Sequence, residues 1–349
     1  MNSLPAGDAA APLSGHQLRI ASGEHEATVT DIGAKVRAYA VGGRDVFTPY
    51  REDEVAPAGH GALLAPWPNR LRDGRYSFAG AEHQVDLSEP KTGTALHGLV
   101  MWQRWTRVPV EDADHANGAA VTLELRLPAS GGYPFDLLLR VTYRLSDAGL
   151  HVQTTATNLG ATPAPYGVGF HPWLSPGDGS LDECTFQLDA ATRVLVDERL
   201  LPTTTEPASG DHDLRAPRSA RGLDLDDAYL DVIRDADGLS WARLTGPDGR
   251  TAAVWMDESM DCWQVCSGDH IDPVHYRRTG MAAEPMSCIA DAFRTGERLV
   301  VHVWRVSGSS WCPSRSCPGR TPSARARGGR SRRASPTPGS PSRTSGRCR

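Results

Sequence analysis

Glu284 is the residue of this chain whose setting most calls for a chemical explanation. It stands inside the apolar stretch Met281-Ala282-Ala283-Glu284-Pro285-Met286, where a carboxylate is costly to bury unless other groups partner it. Two histidines occupy comparable settings: His97 in Leu96-His97-Gly98, and His171 in the run GVGFHPWLSP, directly before Pro172. In the segment APWPNRLRDGRYSFAG, residues 65–80, Pro66, Pro68 and an Asp73-Gly74 turn fix a loop that presents Asn69 and Arg70. A carboxyl and an imidazole, with ordinary pKa values of about 4.3 and about 6.5, supply a base and an acid usable near neutrality. Joined by an arginine and an amide, they suit proton transfer on a polyhydroxylated substrate. Each residue alone has a plainer reading, as a satisfied core histidine or an incidental hairpin arginine. Their combination is what points to chemistry.

Metal binding is the rival use of the same residue types. The twelve histidines contain no HxxxH, HxH or HExxH spacing, so neither a metal nor another cofactor is expected. Cys262 and Cys266 lie four apart in CWQVC with no second pair nearby, and they read as buried free thiols.

The elements that must position these residues are strands. Apolar and polar residues alternate in VTLELRL (121–127), and LLLRVTYRL (137–145) and HVQTTATNL (151–159) continue the pattern. Turn signals separate such runs: Ser130-Gly131-Gly132, Asp147-Ala148-Gly149 and Pro247-Asp248-Gly249. No segment has the period of a long amphipathic helix. A series of strands over this length predicts an all-β fold, a large antiparallel β-sandwich forming one domain over residues 15–305. Trp67 and Trp173 offer apolar faces to a ligand, or else ordinary packing.

Composition bounds the function. No apolar run approaches the ~20 residues of a membrane helix, and the N-terminus has no basic segment ahead of an apolar stretch, so a cytoplasmic protein is expected. The formal net charge of −5 joins two unlike parts. Residues 306–349 hold ten arginines, no lysine and no acid, which leaves 27 basic against 42 acidic residues elsewhere. An acidic body argues against nucleic acid or an anionic membrane as partner. The tail is too poor in aliphatic residues to offset chain entropy, and disorder is expected there. Its abrupt onset is what a shifted reading frame in GC-rich DNA produces. A basic nucleic-acid-binding arm is the competing reading.

Five segments in order, NRLRDGRYSFAG, LHGLVMWQRW, GVGFHPWLSP, LDDAYLD (225–231) and AAEPMSCIADAFRTGE, resemble the aldose 1-epimerase (galactose mutarotase) family from about His16 to Val301. The resemblance implies a β-supersandwich whose open groove binds a monosaccharide. It implies Glu284 as the base that deprotonates the anomeric hydroxyl and His171 as the acid that protonates the ring oxygen. His97 matches a second histidine near the ring oxygen, and Asn69, Arg70 and Asp226 fall in segments that hold sugar hydroxyls. Where the family closes with a terminal strand, this chain reads HVWRVSGSSWCPSRS. An unpaired edge near Glu284 is the expected consequence.

Three rivals remain open at this stage. A hexose-6-phosphate or sulfosugar epimerase needs cations at the far end of the sugar, with Arg72, Arg75, Arg277 and Arg278 as sources. A non-catalytic carbohydrate-binding protein would use the same sandwich. A glycoside hydrolase needs two carboxylates about 5–10 Å apart, and the motif segments present one well-placed candidate.

Overall fold

The structure is a computed structural model and describes residues 11–111, 119–302 and 305–313. It is a sandwich of two large antiparallel sheets, of twelve and nine strands, with three two-stranded ribbons beside them. The one α-helix among the described residues is the single turn Ala292–Thr295. No helix there is long and apolar enough to cross a membrane.

The nine-stranded sheet follows the alternation of its sequence. Leu137–Ser146 pairs in strict register with Gly149–Asn158 on one side and Ala120–Leu127 on the other. Leu137, Leu139, Val141, Tyr143 and Leu145 are all buried while the residues between them are half-buried, because successive side chains leave a strand on opposite faces. The turns fall where the sequence places them. Ser146 pairs with Gly149 around Asp147-Ala148, and Thr245 pairs with Thr251 around the Pro247-Asp248-Gly249 turn. Two polar contacts tie the sheets together through the core: the Tyr143 hydroxyl donates to the Ala34 carbonyl, and the Trp263 indole donates to Ser240 Oγ at 3.0 Å.

The chain end departs from expectation. Strand Arg305–Pro313 runs past the anticipated boundary at 305 and lies inside the nine-stranded sheet, between Gly149–Asn158 and Thr251–Met256. Ladder pairing is made by backbone groups and places few demands on side-chain type, so a composition unlike the rest of the domain still fills a place where two strands would otherwise be edges. The expected bare edge beside Glu284 is absent as well. Its strand, Met281–Met286, pairs with Cys262–Cys266 on one side and with Gly169–Phe170 and Trp173–Leu174 on the other. The rest of the arginine-rich tail, residues 314–349, lies outside the described residues.

Candidate active site

Three neighbouring strands of the twelve-stranded sheet, Asp226–Val232, Cys262–Cys266 and Met281–Met286, supply one wall of the site. Gln264 is the register partner of Glu284, and Cys266 is the partner of Asp226, so period-two alternation turns these four side chains to one face. All six residues of Met281–Met286 are buried, which is why its sequence is apolar everywhere except at Glu284. Gln264 links the polar groups across the strands: its amide accepts from Asn69 Nδ2 at 3.1 Å and donates to Asp226 Oδ1 at 2.8 Å.

His171 sits in a break between two short strands that pair with the strand of Glu284. Gly169 pairs with Met286 and Trp173 with Ala282, and the same antiparallel register brings His171 opposite Glu284. His171 Nε2 lies 3.3 Å from Glu284 Oε1, with both side chains buried. Gly59 makes room for the ring. It adopts φ +70°, and a Cβ there would stand 2.8 Å from His171 Cδ2. On its other side the imidazole stacks on Trp173, with centroids 5.7 Å apart, and Trp173 is held by a bond to the Ala58 carbonyl and by His60 stacked at 4.7 Å.

His97 and Asn69 come from two loops that lock each other. Both adopt left-handed backbone, φ +61° and +55°, a conformation more common for Asn and His than for branched residues. The His97 N–H donates to the Asn69 carbonyl at 2.8 Å, and the Asn69 N–H donates to His97 Nδ1 at 3.2 Å. Because Nδ1 accepts, the neutral ring carries its proton on Nε2 and can donate from there. The His97 and His171 rings meet edge to face at 5.4 Å. Arg70 follows Asn69 and forms a two-pronged pair with Glu89, Nε to Oε2 at 2.8 Å and a terminal nitrogen to Oε1 at 3.0 Å. Thr92 and Thr94 hydroxyls also bond to Glu89.

Together these groups line a cavity of about 550 Å³ that includes Asn69, Arg70, His97, His171, Asp226 and Glu284. Burial raises the Glu284 carboxyl well above its usual range, reinforced by Asp226 and opposed by Arg70. Burial lowers His171 to about 4, and it lowers His97 well below its ordinary value with help from His171 and Arg70. Burial also raises Asp226, against the pull of Arg70. Arg70 is desolvated too, yet Glu89 outweighs that cost and its pKa is raised. For the Glu284–His171 pair both shifts disfavour net charge, which favours the state holding one proton between the two groups.

The six residues singled out from sequence thus converge on one cavity. Trp173 borders it, but Trp67 does not. Its indole donates to the Ala95 carbonyl and packs 5.3 Å from Phe293 in the core. Cys262 is buried, whereas Cys266 is half-buried on the cavity wall, and both are free thiols. Sequence reading passed over Gln264, Glu89 and Trp102, which also line the cavity. Gln264 carried a signal of the same kind as Glu284, a polar residue in the apolar strand CWQVC. The four arginines considered for an anionic substituent do not line it. Arg278 is bound to Asp182 and Asp269, Arg277 to Asp272, Arg72 to Asp197 and Arg75 to Gln84. Lys91 does border the cavity.

A sequence model of the family described as aldose 1-epimerase matches residues 16–302. The uncharacterised Escherichia coli (strain K12) protein YihR is 33% identical over 291 residues, covering 82% of this chain and 89% of that protein. Among solved structures, a GalM/aldose epimerase homologue from Caenorhabditis elegans superposes with a TM-score of 0.73 at 18% identity, over 86% of this chain and 98% of its own. The galactose 1-epimerase of Lactobacillus acidophilus gives 0.69 at 18% identity, over 84% and 92%. These two likenesses concern the fold, a galactose mutarotase-like sandwich. With the family's sequence pattern matched over residues 16–302, the chain belongs to the aldose 1-epimerase family.

Proposed function

We propose that this protein is a cytoplasmic aldose 1-epimerase that interconverts the α and β anomers of a free hexose without a cofactor. The observation that carries this reading is the 3.3 Å approach of His171 Nε2 to Glu284 Oε1 in a cavity lined by hydrogen-bonding groups. The anomeric hydroxyl and the ring oxygen of a pyranose are bonded to the same carbon, so a base for one and an acid for the other must be close neighbours. One proton shared by the pair is enough. Passing it from Glu284 to His171 leaves a carboxylate facing the hydroxyl and an imidazolium facing the ring oxygen.

Glu284 takes the proton from O1 as His171 delivers its own to O5. The C1–O5 bond breaks and the open-chain aldehyde forms. Rotation about C1–C2 by about half a turn presents the other face of the carbonyl, and the same two groups run the steps in reverse to close the ring. His97 donates from Nε2 to the ring oxygen or a neighbouring hydroxyl. Asn69, Arg70 and Asp226 hold the remaining hydroxyls, and their mutual bonds through Gln264 and Glu89 fix them before the sugar arrives.

Polarimetry on freshly dissolved α-glucose and α-galactose is the direct test, and acceleration over the spontaneous rate is the expected result. No acceleration with any aldose would leave a binding protein. Release of nitrophenol from nitrophenyl hexosides would instead indicate a hydrolase using Glu284 and Asp226. A second reading, an aldose bearing an anionic group, is favoured by Lys91. It borders the cavity, and among the described residues no carboxylate pairs with it. Faster mutarotation of a 6-phosphate or 6-sulfonate than of the parent hexose, lost in Lys91→Ala, would support that reading.

A further inference from the structure

Lys35 lies outside the acid–base machinery, yet it is 1% exposed and therefore among the most deeply buried charged groups of the molecule. Its ammonium donates to the Ile32 carbonyl at 3.3 Å and to the Met101 carbonyl, and it stands 4.2 Å from the centre of the Trp102 ring. An ammonium has three donors, and these three contacts use them. Among the described residues no carboxylate pairs with it. Burial accordingly lowers it to about 7. An unpaired buried cation is a standing cost to folding, so its contacts are where a compensating role is to be sought.

Those contacts lead to the site. Met101 and Trp102 line the cavity, and Trp102 is 51% exposed. The backbone around them is pinned without Lys35. The Gly33 N–H donates to the Gln103 carbonyl at 2.8 Å, and the Trp105 N–H donates to the Asp31 carbonyl at 2.7 Å. Gly33 allows this close approach, since a Cβ there would stand 2.1 Å from the Met101 oxygen. These bonds fix the course of the loop but not the rotamer of an indole that leans on open cavity. The Lys35 ammonium reaches the indole itself, 4.2 Å from the ring centre.

We propose that Lys35 is a positioning residue for substrate binding, whose ammonium holds the Trp102 indole in place as the wall against which the apolar face of the sugar ring packs. This rests on the sugar reading of the cavity. It adds to that reading a residue that does not line the cavity and an aromatic platform besides Trp173. Methionine at position 35 would fill the same channel without the charge, leaving the indole free to turn.

The test is a double-mutant cycle by polarimetry, with a fluorine probe beside it. Lys35→Met is expected to raise KM roughly tenfold while kcat stays within about twofold, because only binding through a cation–π-held ring is lost. Trp102→Ala should raise KM at least as much, and the double variant no more than Trp102→Ala alone. Protein labelled with 5-fluorotryptophan, with the Trp102 resonance identified by its loss in Trp102→Phe, should show that resonance shifted or broadened in Lys35→Met. A double variant whose KM rises by the product of the singles would overturn the proposal, as would a fall in kcat at unchanged KM. An unmoved Trp102 resonance would overturn it too. Should Lys35→Met not fold, Trp102→Ala at its half-exposed position remains decisive, and an unchanged KM there sinks the idea. A wild-type protein without mutarotase activity would defeat the sugar reading, while the fluorine signal still reports whether Lys35 fixes the indole.

Discussion

The two sheets of the sandwich obey different rules. In the nine-stranded sheet Leu137–Ser146 alternates buried and half-buried residues along its length, and polar side chains such as Thr122 and Thr142 meet their register partners across the ladder at 2.9 Å. In the twelve-stranded sheet Met281–Met286 is buried throughout, and a carboxylate sits in its middle with one oxygen, Oε2, lacking any hydrogen bond. Its neighbour across the break, His171, has Nδ1 in the same condition. Along Leu137–Ser146 the first sheet follows its local periodicity from end to end. The other departs from such local preferences most sharply at Glu284 and His171, and both of these face the cavity. Both sheets contribute side chains to the core, but the cost of the buried acid–base pair falls on the twelve-stranded one.

Substitutions on the two sheets should therefore differ in kind. Glu284→Gln keeps size and hydrogen bonding but cannot accept the proton, and kcat should fall by ~10²–10⁴ with little change in KM, as measured by polarimetry. His171→Asn should fall comparably, and the double variant should lose less than the product of the two because one coupled transfer is removed twice. Leu139→Ala on the regular sheet should do the reverse. Urea unfolding should show a loss of about 2–5 kcal/mol from the cavity left in the core, while kcat and KM of the folded fraction stay unchanged. A Glu284→Gln enzyme of normal activity, or a Leu139→Ala enzyme of altered kinetics, would break the division.

The pH profile sharpens the same contrast. With ordinary values, a carboxylate base and an imidazolium acid would be active together only between about 4.3 and about 6.5. Burial lowers His171 to about 4 and raises Glu284 well above its usual range. The doubly protonated pair thus forms only near the acid end, and the fully deprotonated pair only where a lone buried carboxylate can be tolerated. Activity should fall on the acid side near pH 4 and on the alkaline side where the raised Glu284 carboxyl titrates. A decline setting in near pH 6.5 would mean the two groups titrate as exposed, independent residues. Smaller effects are expected from the holding groups: Arg70→Ala and Asp226→Asn should raise KM more than they lower kcat, with circular dichroism confirming that each variant stays folded.

How much of this was readable beforehand follows from the range of the interactions. Strand periodicity, the 147–149 and 247–249 turns, and the anomalies at Glu284 and His171 are local, and they stand in the sequence. The Gln264–Glu284 pairing joins residues that become neighbours only when the sheet register is set, so Gln264 passed as part of a cysteine spacing. Glu89 and Trp102 lie in exposed segments where polar or aromatic residues need no explanation, and only the cavity gives them one. For Trp67 the sequence left both readings open, because an aromatic beside proline looks the same in a core as in a binding site. At the chain end the error had another source. Composition set the boundary at 305, but the backbone ladder that continues to Pro313 is indifferent to composition.

The smallest effect is also the one that tests whether the active site is a cost to the fold. A carboxyl whose pKa is raised on folding binds its proton more tightly in the native state than in the unfolded chain, so stability falls as pH rises from the unfolded value, about 4.3, toward the raised native one. Glu284, raised by burial and by Asp226, contributes in that direction across the whole window. Glutamine has the same shape and no charge to desolvate. Glu284→Gln should therefore melt close to the wild type at pH 4, where both side chains are neutral, and above it at pH 7 to 8, with the gap widening as pH rises. The enzyme that loses most of its rate would be the more stable one. Thermal unfolding of both proteins across that range decides it: a variant that melts lower than the wild type at every pH would mean that the Glu284–His171 contact holds the fold together.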